Sequence, residues 1–273
     1  MPLNNKQPIR VAAIDAIDGD SRIERNDYVV VEEPLAIRVA VRDTEESTSL
    51  AITMRTPGHD EELAAGLVFT EGLVHHRSDI REIEARPHLN EVIVRLDGSV
   101  KVDDERLRRN LYMSSSCGVC GKATIEALFS TGQERLTTDA TFSRELIHKL
   151  PEATRAAQST FEHTGALHAA TLFDCSGRLR IIREDVGRHN ALDKIIGAEF
   201  LAGRSMESSV VMLSGRVGFE LVQKCVVARV PVMAAVGAPS SLAIETARRF
   251  NVTLLGFVRD NRFNIYTGSE RIV

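Results

Sequence analysis

The chain has 273 residues, 34 Lys and Arg against 38 Asp and Glu, and four cysteines. That length holds one large domain or two smaller ones, the net charge of -4 argues against a broad nucleic-acid surface, and apolar runs such as Val210-Val211-Met212-Leu213 fall far short of the ~20 residues of a membrane span. The opening Met1-Pro2-Leu3-Asn4-Asn5-Lys6 has no apolar stretch behind its basic residue, so no secretory signal and a cytoplasmic location are expected, and four cysteines in that setting are not a disulfide framework.

Residues 1–25 are polar and without a sustained period, and are expected to be a flexible tail or a loosely attached first strand. Residues 28–31, 35–41 and 49–54 are β-rich. Thr56-Pro57-Gly58 breaks the chain, and Asp60-Glu61-Glu62 opens a helix with acids in its first turn, where the macrodipole favours them. Residues 91–96 and 99–102 flank Asp97-Gly98, a hairpin-turn dipeptide. These features predict a smaller α+β domain over 26–105. Residues 106–150 read as a linker that carries a Ser-rich segment, the cysteine pair Cys117-Gly118-Val119-Cys120 and a short helix over 122–129.

The stretch 151–273 is the most regular. Strands over 166–173 and 178–183 are joined by the turn Asp174-Cys175-Ser176-Gly177. An amphipathic helix follows over 191–201. Apolar strands over 209–213, 230–236 and 252–257 alternate with helices over 219–229 and 240–250, and a short strand over 263–266 closes the chain. The order ββαβαβαββ predicts an α/β domain with a largely parallel sheet and helices on its faces.

Three chemistries remain open for the cysteine pair. A four-thiolate zinc site needs a second pair, whereas Cys175 and Cys225 are single; His163 and His168 have a suitable spacing but lie well downstream. A thioredoxin-like centre normally follows a buried strand, and here the pair follows polar Ser114-Ser115-Ser116. An exposed low-pKa thiol fits better. Gly118 and Gly121 give freedom, and the helix start near Lys122 together with Arg106, Arg108 and Arg109 favours thiolate. Cys225 reads as a small core residue and Cys175 as an incidental turn residue.

A second constellation is Arg183-Glu184-Asp185-Val186-Gly187-Arg188-His189-Asn190-Ala191-Leu192-Asp193-Lys194, between a strand and a helix. Ligands gather at such places in α/β domains. The alternative is a well-capped helix start with solvated charges. Ser214-Gly215-Arg216, Gly237-Ala238-Pro239-Ser240-Ser241 and Val258-Arg259-Asp260-Asn261-Arg262 end the next three strands, which makes one edge suited to phosphate or nucleotide.

Together with Ser115-Ser116-Cys117-Gly118-Val119-Cys120-Gly121, Thr164-Gly165-Ala166-Leu167-His168-Ala169-Ala170, the helix bearing Glu220, Gln223 and Lys224, and Leu254-Leu255-Gly256-Phe257-Val258-Arg259, this run resembles the FdhD family from about residue 33 onward. FdhD proteins are sulfur carriers needed to make active formate dehydrogenase. The resemblance implies a sulfurtransferase: a cysteine desulfurase loads Cys117 with persulfide, Cys120 assists, and sulfur passes to the molybdenum cofactor, bis-molybdopterin guanine dinucleotide, before or during its insertion into apo-formate dehydrogenase. It implies cofactor contacts at Phe257, Val258, Arg259, Asp260, Asn261 and Arg262; the strand-end residues Arg188, His189, Ser214 and Arg216 are added as candidates. It also implies a C-terminal three-layer fold like that of cytidine deaminases. The deaminase zinc signature is missing, since the one His-x-Glu is His59-Asp60-Glu61 and the Cys-x-x-Cys lacks its proline, so no catalytic metal is expected. Two identical nucleotide arms suggest a two-fold homodimer. A thiol–disulfide oxidoreductase and a non-enzymatic cofactor-binding chaperone are the competing readings; neither nucleic acid nor membrane is an expected partner.

Overall fold

The computed structural model describes residues 7–41, 46–100, 132–259 and 261–273. Cys117, Cys120 and Asp260, with the helix expected over 122–129, lie outside them. Of the flexible tail or loosely attached first strand expected up to residue 25, the described residues form strand, in a hairpin: β1 (Ile9–Asp18) pairs antiparallel with β2 (Ser21–Val30) as a separate two-stranded sheet. Its residues are mostly charged or small, which hides the strand period from the sequence.

A four-stranded sheet follows, in the order β4-β3-β6-β5, from β3 (Glu33–Val41), β4 (Thr48–Arg55), β5 (Ile80–Arg86) and β6 (Glu91–Leu96). Helix α1 (Asp60–Thr70) covers one face, burying Leu63 and Val68 against Leu35, Ile37, Val92, Val94 and Leu96. Of the second strand expected beyond Asp97-Gly98, residues 101 and 102 lie outside the described residues, and both edges of β6 are taken by β3 and β5. Asp97 closes a turn, accepting from Val100 N at 3.0 Å, and β6 pairs antiparallel with β5 and parallel with β3. The sequence Ile80-Arg81-Glu82-Ile83-Glu84-Ala85-Arg86 conceals β5 because its charges form ion pairs across the sheet, such as Arg95–Glu84 at 2.9 Å.

The larger sheet has six strands in the order β12-β11-β10-β9-β7-β8. They are β7 (His168–Asp174), β8 (Leu179–Asp185), β9 (Ser209–Leu213), β10 (Val232–Ala235), β11 (Thr253–Arg259) and β12 (Arg262–Thr267). The expected element order holds, but the sheet is mixed rather than largely parallel: only the β9–β10 and β10–β11 pairs are parallel, and the β7–β8, β7–β9 and β11–β12 pairs are antiparallel. Two-residue alternation sorts side chains to the two faces. Val211, Leu213, Met233 and Leu254 meet α4 (Arg188–Leu201), α5 (Phe219–Val227) and α6 (Ser241–Phe250). Val210, Met212, Val232, Leu255 and Val258 meet Ile147 and Leu150 of α2 (Arg144–Ala157) on the other face. Helix α2 therefore runs through residue 150, where a linker was expected to end. A short helix α3 (Ser159–Thr164) precedes β7.

Helix α4 is not amphipathic as expected. Every residue of it from 190 to 197 is buried, because α1 packs on the side that faces away from the sheet. The crossing is close enough to require glycine twice: a Cβ on Gly66 would lie 2.0 Å from Asp193 O, and one on Gly197 would lie 1.8 Å from Glu62 O.

Candidate functional site

Strand pairing places one set of strand ends along a common edge. His168 pairs with Asp185, Ala170 with Leu213, Leu213 with Ala235, and Ala234 with Leu255. The start of β7 and the ends of β8, β9, β10 and β11 therefore share that edge, and each feeds one of the segments singled out in the sequence. The loops there are stitched by main-chain hydrogen bonds: Gly237 N to Gly215 O (3.2 Å), Phe257 N to Gly237 O (3.2 Å) and Val217 N to Ala238 O (3.1 Å). Glycine is needed for this closeness. A Cβ on Gly237 would come within 2.9 Å of the Arg216 backbone, and one on Gly256 within 2.9 Å of Tyr266 and 3.0 Å of Pro239. Phe257 adopts φ 54°, a left-handed conformation rare for an aromatic residue, beside an irregularity in the β11–β12 register.

The candidate residues separate by role. Arg259, Asn261 and Arg262 are exposed at the β11–β12 turn, and Arg259 stands directly opposite Arg262. Val258 is fully buried in the core, backbone included, and offers a ligand no surface. The Ser214 hydroxyl accepts from Ala169 N at 2.9 Å and extends the β7–β9 pairing. Arg216 is exposed, and Arg188 and His189 are half-buried. Asp260 and both cysteines of the pair are outside the described residues.

His189 Nε2 lies 2.9 Å from a carboxylate oxygen of Glu220. That close contact with His189, outweighing partial burial, holds the Glu220 carboxyl below the usual range. Burial, followed by the charges of Arg188 and His189, pushes the His168 imidazole below its ordinary value. The buried Nε of Arg188 has no hydrogen-bond partner, and His189 Nε2 has none in aligned geometry despite the nearby Glu220. Among the described residues no group of three or more His, Cys, Asp or Glu could hold a metal ion.

The run Glu184–Lys194 is not a helix start with solvated charges. Asp185 and Lys194 are fully buried and paired at 2.6 Å. Lys194 also donates to Thr56 O (3.0 Å), and Asp185 accepts from Thr56 N (3.2 Å), Gly187 N (2.9 Å) and Asn190 Nδ2 (3.0 Å). Asn190 donates a second bond to Met54 O at 2.8 Å. These contacts bolt the smaller sheet to the edge. A second buried pair, Lys224–Asp193 at 2.8 Å with Thr70 between them, joins α1, α4 and α5. Sequence reasoning missed both functions of these lysines. No local signal marked them, because Arg188, His189, Asp193 and Glu199 share the helix with Lys194, and Glu220 shares its own with Lys224. Cys225 is buried and Cys175 exposed, as expected of a core residue and a turn residue.

No helix among the described residues is long and apolar enough to cross a membrane. Comparison with known proteins agrees with the sequence resemblance. Residues 30–273 match the family described as the FdhD/NarQ family. A protein named sulfur carrier protein FdhD from Streptomyces coelicolor is 43% identical over 259 residues, covering 91% of this chain and 90% of the relative. Its namesake from Sulfolobus acidocaldarius is 43% identical over 265 residues, covering 97% and 98%. A crystal structure described as a formate dehydrogenase accessory protein from Desulfotalea psychrophila superposes with a TM-score of 0.77 at 27% identity, covering 97% of this chain and 99% of that one. With the match running through both sheets and the strand-end edge, the chain belongs to the FdhD/NarQ family.

Proposed function

We propose that this protein is a sulfur carrier for formate dehydrogenase, accepting persulfide sulfur from a cysteine desulfurase on Cys117 and passing it to bis-molybdopterin guanine dinucleotide before or during delivery to the apo-enzyme in the cytoplasm. The observation that carries the reading is the near full-length similarity to proteins named sulfur carrier protein FdhD, in a chain that has the Cys117-Gly118-Val119-Cys120 pair. In loading, a Cys117 thiolate attacks the outer sulfur of the donor persulfide and the donor thiolate leaves; Cys117 becomes a thiolate again when that sulfur moves on, with Cys120 assisting. A low thiol pKa favours the leaving step.

The strand-end edge supports a nucleotide-bearing acceptor. Arg259 and Arg262 oppose each other on the exposed β11–β12 turn, and like charges directly opposite destabilise a strand pair. An oxyanion between them offsets that repulsion. The glycines Gly215, Gly237 and Gly256 let the strand-end loops pack closely on one another and hold that edge in place. A layered domain of the cytidine-deaminase kind, working as a two-fold dimer with one nucleotide arm on each subunit, belongs to the same proposal; sedimentation that finds a monomer with both arms bound overturns the dimer.

Intact mass tests the carrier role. Incubation with a cysteine desulfurase and cysteine adds about one sulfur atom, lost on reduction, and Cys117→Ala abolishes the gain. Active formate dehydrogenase produced with Cys117→Ala as the only carrier refutes the proposal.

A further inference from the structure

Glu220 presents a carboxylate to an edge otherwise built for anions. It lies in the first turn of α5 and reaches His189 in the first turn of α4. The two helix starts are thus drawn together over Gly215, where a Cβ would stand 3.2 Å from the His168 ring and 3.9 Å from Arg188 Cδ. Both helices begin on glycine, Gly187 and Gly218, without a side-chain cap, whereas Ser240 caps α6 by accepting from Ala243 N. A Cβ at Gly218 would meet no atom within 4 Å, so the space before α5 is open. The buried Arg188 Nε has no partner, and the His189 N–H is not aligned on the carboxylate beside it. Glu220 itself is mostly exposed, with a side-chain exposure of 65%, and His189 is its ion-pair partner among the described residues. Lys224, one turn further on, is consumed by Asp193 and Thr70.

We propose that Glu220 is a displaceable internal anion that competes for an oxyanion seat formed by Arg188, His189 and His168, which takes a pyrophosphate-type group. This rests on the reading that the sulfur acceptor carries a nucleotide pyrophosphate. The physical logic is competition. The tethered carboxylate occupies His189 and repels any incoming anion, so a singly charged ligand gains little by replacing it. A group with two or more charges and several acceptor oxygens offers His189, Arg188 and the first-turn amides more than one carboxylate does. The Glu220 side chain then swings toward solvent, where its exposure already places most of it.

Titration calorimetry of the full chain with inorganic pyrophosphate at low salt tests this. Glu220→Gln removes the competitor and the repulsion while keeping the side-chain volume. Pyrophosphate is expected to bind this variant about five- to tenfold tighter than wild type, the size of one screened like charge removed at close range. Orthophosphate, with less charge to be repelled, gains by a smaller factor. Glu207→Gln is the control. Glu207 pairs with Arg229 and precedes β9, at the opposite edge of the sheet, and its loss changes net charge equally. It should leave both affinities unchanged. Equal or weaker pyrophosphate binding by Glu220→Gln overturns the inference, as does the same gain in Glu207→Gln, or no binding by any of the three proteins. The persulfide mass gain on Cys117 is independent of these titrations. Normal loading without a Glu220 effect sinks only this inference, and failed loading with the Glu220 effect intact sinks only the carrier reading.

Discussion

Replacing Gly197 by alanine should damage the protein although alanine is the better helix former. The added methyl would lie 1.8 Å from Glu62 O and 2.6 Å from Gly66 N, against the ~3.5–4.0 Å of an optimal contact, so α1 and α4 must part by about 2 Å. Intrinsic propensity favours the change by ~1 kcal/mol. Overpacking opposes it by ~1–3 kcal/mol, and parting the helices also stretches the Lys224–Asp193 bond to Thr70 and the Arg183–Glu62 pair, which stands at 2.6 Å. With the stretched pairs added, the balance is a loss of about 1–3 kcal/mol, which for a chain of this size lowers Tm by roughly 2–12 °C. Thermal unfolding followed by circular dichroism, with a urea titration to show an unchanged m-value, measures it. Gly66→Ala, with its methyl 2.0 Å from Asp193 O, should cost a similar amount. The double variant should cost much less than the sum, because one separation relieves both clashes. A Tm at or above wild type for Gly197→Ala would refute the close-crossing argument.

Lys194→Met strands Asp185 as an unpaired buried charge and should cost about 3–5 kcal/mol; adding Asp185→Asn should recover part of that, and wild-type stability in the single variant would show that the pair is not buried in solution. Burial alone would raise the Glu62 carboxyl, but hydrogen bonds from Arg183 and His59 outweigh it and hold it at about 2, against an ordinary value of 4.5. Its contribution is therefore complete above pH 4.5 and lost as pH falls toward 2, so the Tm advantage of wild type over Glu62→Gln should shrink across that window; parallel curves would contradict the depressed value. Burial pushes the Cys225 thiol up. In a Cys117→Ala, Cys120→Ala background, mass spectrometry after iodoacetamide should show one label on the native protein, at Cys175, and two after unfolding. Two labels on the native protein would place Cys225 in reach of solvent.

The parts legible in the sequence were those governed by local pattern. The apolar runs of β9, β10 and β11 and the Ser240 cap of α6 lie where periodicity and capping chemistry put them. Pairing was less legible. β5 alternates charge with apolar residues on a sheet face that satisfies the charges, and β6 found a partner in β3, more than fifty residues earlier, rather than across the nearby turn. The edge that gathers His168, Gly215, Gly237 and Phe257 was foreseeable from strand–helix order, because strand ends in such sheets converge. The inward lysines were not. Nothing local distinguishes Lys194, buried on Asp185, from a solvated helix lysine; the difference is made by Thr56, which arrives from the other sheet.

The Asp185–Lys194 bolt also governs what a break in the chain would do. It ties residues 54–56 to residues 184–194, which flank the stretch between 100 and 132 on either side. Chain continuity through that stretch is therefore not what holds the two sheets together. Two polypeptides separated there would still recognise each other through a desolvated ion pair, two interlocking glycines and a shared threonine. Halves co-expressed with the break in that stretch should therefore associate, which co-purification of the two would show.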